Sequence, residues 1–334
     1  MDDLQHALGG DLRHVLDLAA RAPSVHNTQP WRFSWDGTAL HVFEDSSRSL
    51  PVLDPAGRER LVSCGAAVLH ARLGLAERGH ACRTALLPDP SRPELLATLT
   101  VQGRVEPDDR DRALAAVVAR RATHRDPFDD RPVPDDVREA LRRAAEQEGA
   151  WLRFVGADGS DDAVELQVLL SHADDSQRSD PAYLAELAAW RRDTGAEGVP
   201  AQALPSVPAE RRASTWVVRD FDAAATQPLA GAPAPSGPPP AEHPDVLVLG
   251  TEADDRQDWL VAGQALGRVL LEATLAGVAA QPLTQVLEVP VLRGRLRRTL
   301  GVVGHPQMLL RLGYGSAQGR SSRRPVEEVV TLAD

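Results

Sequence analysis

Apolar residues recur at helical spacing in several stretches of the chain. Residues 11–21 (DLRHVLDLAAR) place Leu12, Val15, Leu16 and Ala19 on one face, which predicts an amphipathic helix. Residues 58–79 and 256–277 are long and largely apolar, and each predicts a mostly buried helix. Further helices are predicted over residues 108–121, 135–148, 160–175, 181–192 and 290–301.

Short strand-like runs separate the predicted helices. WRFSW and ALHVFE flank Asp36-Gly37 and predict a hairpin, because this dipeptide favours a tight turn. Other predicted strands are CRTALLP, LLATLTVQG, WLRFVG, DVLVLGT and QMLLRLGYG. The periodicity fades from about residue 193 to 226. Residues 227–244 hold seven prolines and predict an extended connector or loop.

The two longest predicted helices resemble each other and indicate an internal repeat. When Gly65 is placed over Gly263, Ala67, Leu73 and Gly79 fall on Ala265, Leu271 and Gly277. Residues 11–20 likewise match 136–145, and a tryptophan-containing strand follows each. Chance similarity between helices rich in Ala, Leu and Arg is the alternative. A duplication divides the chain into halves 1–118 and 119–334.

The halves differ in one short segment each. The first half carries APSVHNTQP between its helix and strand, where the second has only EQEGA. The second half is preceded by ARRATHR, and the first by nothing comparable. Two halves that pair about a pseudo-twofold axis would each contribute a different segment to one shared site.

Composition and charge narrow the function classes. The chain has 334 residues, which favours two units, and its net charge of −11 argues against nucleic acid and anionic membranes as partners. No apolar run is long enough to predict a transmembrane helix. The two cysteines have neither metal-site nor redox-motif spacing, so we expect a reducing, cytoplasmic location.

Two arginine clusters stand out in this acidic chain. Arg120, Arg121, Thr123 and Arg125 crowd one turn, and residues 320–324 (RSSRR) form a second cluster. Guanidinium and hydroxyl donors in this pattern suit a phosphate, although each cluster alone could be a surface charge run. There is no glycine-rich nucleotide motif, HExxH or CxxC. A phosphate site without a nucleophile or metal suggests an organic cofactor that carries the chemistry.

At these segments the chain resembles the flavin-dependent nitroreductase family. APSVHNTQPWRF (22–33) is similar to its APSxxNxQPWxF stretch, and RRATHR (120–125) to its Arg-x-Ser/Thr-x-Arg/Lys phosphate motif. The closing GYG with SSRRPVEEVV resembles its last strand and second phosphate contact. The order of the segments resembles the Acg-like branch, in which two nitroreductase-like halves form one chain.

The resemblance implies an α+β fold with mixed and antiparallel sheets packed on long buried helices, duplicated as a pseudo-dimer that binds FMN between the halves. It assigns cofactor contacts to four groups: the loop, the Arg motif, a backbone stretch near the flavin, and the tail. Their members are Ser24, His26, Asn27, Thr28, Gln29; Arg121, Thr123, Arg125; Gln281, Pro282, Leu283; and Arg320, Arg323, Arg324. For His26 a purely structural bond is the alternative, and Trp31 and Phe33 are expected in the core.

The resemblance also implies ping-pong hydride transfer from NAD(P)H through FMN to a nitro compound or quinone. Residues 193–226 fall where the family places a cover, so we expect a lid, with an irregular loop as the alternative. A closed lid would favour non-catalytic FMN storage instead, and a flavin-free interaction module is a third hypothesis. We expect no metal, and a monomer or weak homodimer.

Overall fold

The computed structural model describes residues 10–157, 159–192, 195–200, 203, 216–217, 219, 242–315 and 319–332. Most of the predicted lid (193–226) and of the proline-rich connector (227–244) therefore lies outside the described residues. The parts of the lid that are described are residues 195–200, Ala203, Trp216, Val217 and Arg219.

The structure is a mixture of helices and strands, as predicted. The helices are α1 (Asp11–Ala19), α2 (Arg58–Glu77), α3 (Asp109–Val117), α4 (Asp135–Gln147), α5 (Asp161–Arg178), α6 (Pro181–Ala189), α7 (Arg256–Leu275), α8 (Gln285–Glu288), α9 (Pro290–Thr299) and α10 (Val326–Val329). The strands are β1 (Trp31–Trp35), β2 (Ala39–Glu44), β3 (His80–Leu86), β4 (Leu95–Arg104), β5 (Trp151–Phe154), β6 (Arg191–Arg192), β7 (Val199–Pro200), β8 (Asp245–Thr251), β9 (Ala279–Pro282), β10 (His305–Gly313) and β11 (Val330–Leu332).

Two sheets share one strand order. The first runs β11-β1-β2-β4-β3 and the second β5-β8-β10-β9. When β1, β2, β3 and β4 are matched to β5, β8, β9 and β10, both neighbours and antiparallel directions agree. Helix α1 packs on α2, as α4 packs on α7. Strand β11 is the exception, since it adds to the first sheet in parallel with β1.

Helices α2 and α7 pack against each other between the sheets, and they cross at two glycines. A Cβ on Gly65 would overlap the carbonyl oxygen of Leu260 and lie 3.0 Å from Gly263 Cα. A Cβ on Gly263 would overlap the carbonyl oxygen of Val62 and lie 2.8 Å from Gly65 Cα. Each glycine therefore faces the carbonyl group of the residue that lies three positions before the other glycine in its helix. The contact is thus symmetric.

The hydrophobic core follows this arrangement. Trp31 and Phe33 are fully buried in the cluster formed by the first sheet with α1 and α2, as expected. A second cluster lies between the second sheet, α4 and α7. Leu260 of α7 belongs to the first cluster and Val62 of α2 to the second, so the two cores interlock.

Two strands of the five- and four-stranded sheets, β9 and β11, were not predicted. β9 (Ala279–Pro282) is only four residues long and ends in proline, and its sequence AAQP has no strand-like pattern. β11 forms only because its residues find a partner in β1, some 300 residues earlier in the chain. Among the described residues, no helix is long and apolar enough to cross a membrane.

Alanine at the glycine crossing tests the helix packing. Gly65→Ala and Gly263→Ala should each lower the free energy of unfolding by about 1–3 kcal/mol, because the backbones must separate to admit a methyl group. Gly294→Ala in α9 is the matched control. Its new Cβ meets nothing closer than 4.0 Å, so it should stabilise the protein by about 0.5–1 kcal/mol. Equal denaturant midpoints for Gly263→Ala and Gly294→Ala would contradict this packing.

Candidate functional site

A cavity lies beside the α2–α7 crossing and is lined by segments from distant parts of the chain. Its walls come from α2, α7, β9, the 24–29 loop, the segment 118–125 and the tail, defined here as residues 319–325. Ten of the fourteen predicted site residues line it: Ser24, His26, Asn27, Arg121, Thr123, Arg125, Gln281, Pro282, Arg320 and Arg323. The structure therefore brings together segments separated by about 300 residues.

One end of the cavity is cationic. Arg121 is buried, its Nε has no hydrogen-bond partner, and it forms no ion pair with a carboxylate in the described part of the chain. Burial lowers its pKa to about 10. Among the described residues, Arg323 donates to carbonyl oxygens alone, including that of Ala22 at 3.0 Å. Burial and the charges of Arg121 and Arg21 lower the pKa of Arg323 to about 9.

Further guanidinium groups join this end. Burial and then the charge of Arg121 lower the pKa of Arg125 to about 10, and Arg125 donates to the carbonyl oxygen of Ala203 at 2.9 Å. Arg21 and Arg320 line the cavity from its exposed rim. Mutually repelling cations in a partly dehydrated space are unfavourable unless an anion joins them, so this end is suited to bind one.

The Arg motif (residues 120–125) is held in place by β9 and by a buried ion pair behind it. Thr123 forms a parallel bridge with Ala280 of β9, and the amide of His124 donates to the Ala280 carbonyl oxygen at 2.9 Å. A buried ion pair of 2.6 Å between Arg311 and Glu242 lies behind the turn, and Glu242 also accepts from the backbone amide of Phe128 at 2.8 Å. These contacts fix the backbone that carries Arg121 and Arg125.

The 24–29 loop has an unusual backbone. His26, Asn27 and Gln29 have φ values of +46°, +55° and +51°, in the left-handed region that residues other than glycine seldom adopt. Asn tolerates this region better than His or Gln. The hydroxyl of Ser24 accepts from the Gln29 amide at 3.0 Å, which closes the loop. Strained backbone of this kind persists only where surrounding contacts enforce it.

Asn27 presents one unused acceptor to the cavity. Its amide nitrogen donates to the carbonyl oxygens of Gly198 and Ser322, at 3.0 and 3.2 Å. Its Oδ1 is buried and has no hydrogen-bond partner in the part of the chain that the structure describes. The Oε1 atom of Gln281 on β9 is also buried and accepts no hydrogen bond from the described residues. These two oxygens can accept hydrogen bonds from a ligand.

Four predicted residues lie outside the cavity lining. Thr28 and Gln29 are fully buried members of the loop. The side-chain amide of Gln29 already donates through Nε2 to Ala196 and accepts at Oε1 from the Arg324 amide. Arg324 forms a hydrogen bond and an ion pair with Glu328 of helix α10, which follows the tail. Leu283 lies in a core cluster, and its amide donates to the Leu309 carbonyl oxygen at 2.9 Å. The backbone role expected for Leu283 next to a cofactor is therefore not available in this arrangement.

Sequence reasoning missed Arg219, which enters the cavity from the predicted lid. It donates to His26 Nε2 at 3.1 Å and to both Glu288 carboxylate oxygens at 2.6 Å. Burial, with the charges of Arg219 and Arg125, lowers the pKa of His26 well below its usual value, so His26 is neutral and accepts this bond. A lone arginine in STWVVRDF gave no signal for this role.

Glu59 was also missed. It is the acidic side chain among the described residues that line the cavity, where it forms a buried ion pair with Arg58. Burial raises the pKa of Glu59, and repulsion by Glu288 adds to the effect. Glu59 and Ser63 are buried one helical turn apart on α2, but Arg58 and Arg60 flank Glu59 in the sequence, so no local pattern distinguished them.

Comparison with known proteins decides the family. The family model for the nitroreductases, described as "Nitroreductase family", matches residues 118–314, more than half of the chain. The chain belongs to the nitroreductase family. The resemblance inferred from the sequence motifs, including the Acg-like branch, is confirmed.

Several relatives of this nitroreductase-family chain come from Mycobacterium tuberculosis (strain ATCC 25618 / H37Rv). It is 38% identical to "Putative NAD(P)H nitroreductase Rv3131" over 96% of this chain and 90% of that protein. It is 31% identical to "Putative NAD(P)H nitroreductase acg" over 95% and 94%. A crystal structure of an FMN-bound nitroreductase from Bacteroides fragilis is 14% identical and covers 64% of this chain and 93% of that one. Its TM-score of 0.35 is too low to show a shared fold.

Replacing a single cation tests whether Arg121 serves a ligand or the fold. In ligand-free protein, Arg121→Met should raise the free energy of unfolding by about 1–3 kcal/mol, because it removes a buried charge that pairs with no carboxylate among the described residues. Arg311→Met is the matched control. It leaves Glu242 buried and unpaired and should cost about 3–5 kcal/mol. Destabilisation by both substitutions in chemical unfolding would assign Arg121 a structural role.

Proposed function

We propose that this chain is an FMN-binding oxidoreductase with one flavin per chain. The observation that carries the proposal is the cationic end of the cavity, where Arg121 and Arg323 form no ion pair with any carboxylate that the structure describes. Arginine binds phosphate oxygens bidentately, so a phosphate here would relieve the repulsion between these groups. Membership of the nitroreductase family supports FMN as the phosphate-bearing ligand.

The residues present fit the two chemically different parts of this cofactor. We assign the phosphate to Arg121, Thr123, Arg125, Arg320 and Arg323. Ser24, Asn27 and Gln281 also line the cavity. Asn27 and Gln281 each have a buried side-chain oxygen that accepts no hydrogen bond from the described residues. All three are assigned to the polar groups of the ring and ribityl chain.

We also propose that the chain is a duplicated, pseudo-dimeric nitroreductase with halves 1–118 and 119–334. The shared strand order and the symmetric contact of Gly65 with Gly263 support this. The cavity receives the 24–29 loop from one half and the Arg motif from the other. Because each half supplies a different segment, a single site results instead of two.

When bound, FMN would supply hydride transfer from NAD(P)H to a nitro compound or quinone in ping-pong fashion. The residues of the chain position the cofactor and exclude water. The apolar wall from Leu266, Leu270 and Met308 suits a planar ring. We propose a cytoplasmic protein that acts as a monomer or weak homodimer.

Non-catalytic FMN storage is the second candidate, and a lid favours it. Residues 195–200, called here the cover segment, contact the loop through Asn27 and Gln29, and Glu197 pairs with Arg48. Ala203 contacts Arg125, and Arg219 occupies a place in the cavity wall. These contacts support a cover that restricts access of nicotinamide to the flavin.

Anaerobic mixing of the flavin-loaded protein with NADPH tests the proposal. Absorbance and protein mass should first give one FMN per chain, because only one site is complete. The oxidoreductase predicts that NADPH bleaches the flavin absorbance within seconds of mixing. A yellow protein that NADPH fails to bleach but dithionite reduces would be a storage protein. Colourless protein that takes up no FMN would contradict both functions and leave a flavin-free interaction module.

A further inference from the structure

Two side-chain amides in the loop connect the cover segment to the tail. The Nδ2 of Asn27 donates to Gly198 in the cover segment and to Ser322 in the tail. The Nε2 of Gln29 donates to the Ala196 carbonyl oxygen at 2.7 Å, while its Oε1 accepts from the Arg324 amide at 2.8 Å. Each amide therefore holds both segments at once.

The hydrogen-bond partners fix the orientation of both amides. The nitrogen of Asn27 faces two carbonyl oxygens, which can only accept, so the opposite orientation would place oxygen against oxygen. Gln29 faces carbonyl oxygens at Nε2 and a backbone N–H at Oε1. Neither amide can rotate to release one segment while it keeps the other.

The tail residues held in this way flank a phosphate-site arginine. Ser322 and Arg324 are the immediate neighbours of Arg323, whose guanidinium lines the cationic end of the cavity. The backbone on each side of Arg323 is thus attached to an amide that also reaches the cover segment. A ligand that fixes Arg323 must affect the geometry of both bridges.

The strained loop makes this connection sensitive. Asn27 and Gln29 themselves have positive φ values. The loop residue His26, which accepts a hydrogen bond from Arg219, also has a positive φ. The backbone also takes part, since the Gly198 amide donates to the Asn27 carbonyl oxygen at 3.3 Å. Loss of either the tail or the cover segment removes contacts that oppose the strain, so the loop favours the state in which both are docked.

We infer that Asn27 and Gln29 are positioning residues that couple the binding of a phosphate group at Arg323 to the docking of the cover segment. The inference rests on the proposed function for the identity of the ligand, though not for the coupling. By linkage, a ligand phosphate that orders the tail strengthens docking of the cover segment, and docking strengthens phosphate binding to the same extent. The flavin ring alone would lack this effect.

Hydrogen exchange of the cover segment, compared between FMN and riboflavin at saturation, tests the coupling. The two ligands differ only in the phosphate. The amides of residues 195–199 should exchange about 5- to 30-fold more slowly with FMN than with riboflavin, since two hydrogen bonds of ordinary strength are coupled to the phosphate. Equal protection by the two flavins in the parent protein would overturn the inference.

Two variants separate coupling from simple docking. Gln29→Glu keeps the acceptor for Arg324 and loses the donor to Ala196, so the difference between FMN and riboflavin should fall to about 2- to 5-fold, the part that the Asn27 bridge still carries. Glu197→Gln is the control, because it weakens the contact of the same segment with Arg48 and leaves both amides in place. There the difference should persist. A difference that stays undiminished in Gln29→Glu would overturn the role of this bridge.

The test remains decisive if the flavin assignment fails. Should neither flavin bind, inorganic phosphate takes the place of FMN and phosphate-free buffer at equal ionic strength that of riboflavin. Slower exchange of residues 195–199 with phosphate would support the coupling and reject only the flavin. Unchanged exchange would reject the coupling, and the parent protein suffices for this comparison even where a variant fails to fold.

Discussion

The crossing of α2 and α7 at Gly65 and Gly263 is the constraint on which the rest of the structure depends. Only residues without a side chain let the two backbones approach this closely. The approach brings Glu59, Val62 and Ser63 of one helix beside Leu266 and Leu270 of the other, as one wall of the cavity. It also interlocks the two cores, so neither half buries its helix fully without the other.

The symmetry of this frame makes the asymmetry of the site informative. The two sheets share one strand order, yet the loop (residues 24–29) lies just ahead of β1 of the first sheet, while the Arg motif (residues 120–125) lies ahead of α4 and β5 of the second. The chain is acidic overall, and many of the described arginines form ion pairs with carboxylates. Among the described residues, Arg121 and Arg323 pair with no carboxylate, a costly condition that the proposed phosphate ligand would relieve.

Local patterns sufficed for much of the fold. The apolar spacing in 58–79 and 256–277 predicted α2 and α7, and the Asp36-Gly37 turn predicted the β1–β2 hairpin. β9 and β11 escaped because pairing with distant strands creates them, and short strands carry no periodic signal of their own.

The site divides in the same way. Short motifs were enough to identify Arg121, Arg125, Ser24 and Asn27 as neighbours of one cavity. They could not show that Gln29 faces away from it, since that depends on the cover segment and the tail. Arg219 was equally invisible, because its partners His26 and Glu288 are distant in sequence.

The affinity of Arg121→Met for FMN and for riboflavin tests the central claim most directly. If Arg121 binds the cofactor phosphate, FMN affinity should fall about 10- to 100-fold, the effect of one charge-assisted hydrogen bond of about 1.5–3 kcal/mol. Riboflavin affinity should change little, because it carries no phosphate. An equal loss for both flavins, or no loss for FMN, would contradict the account.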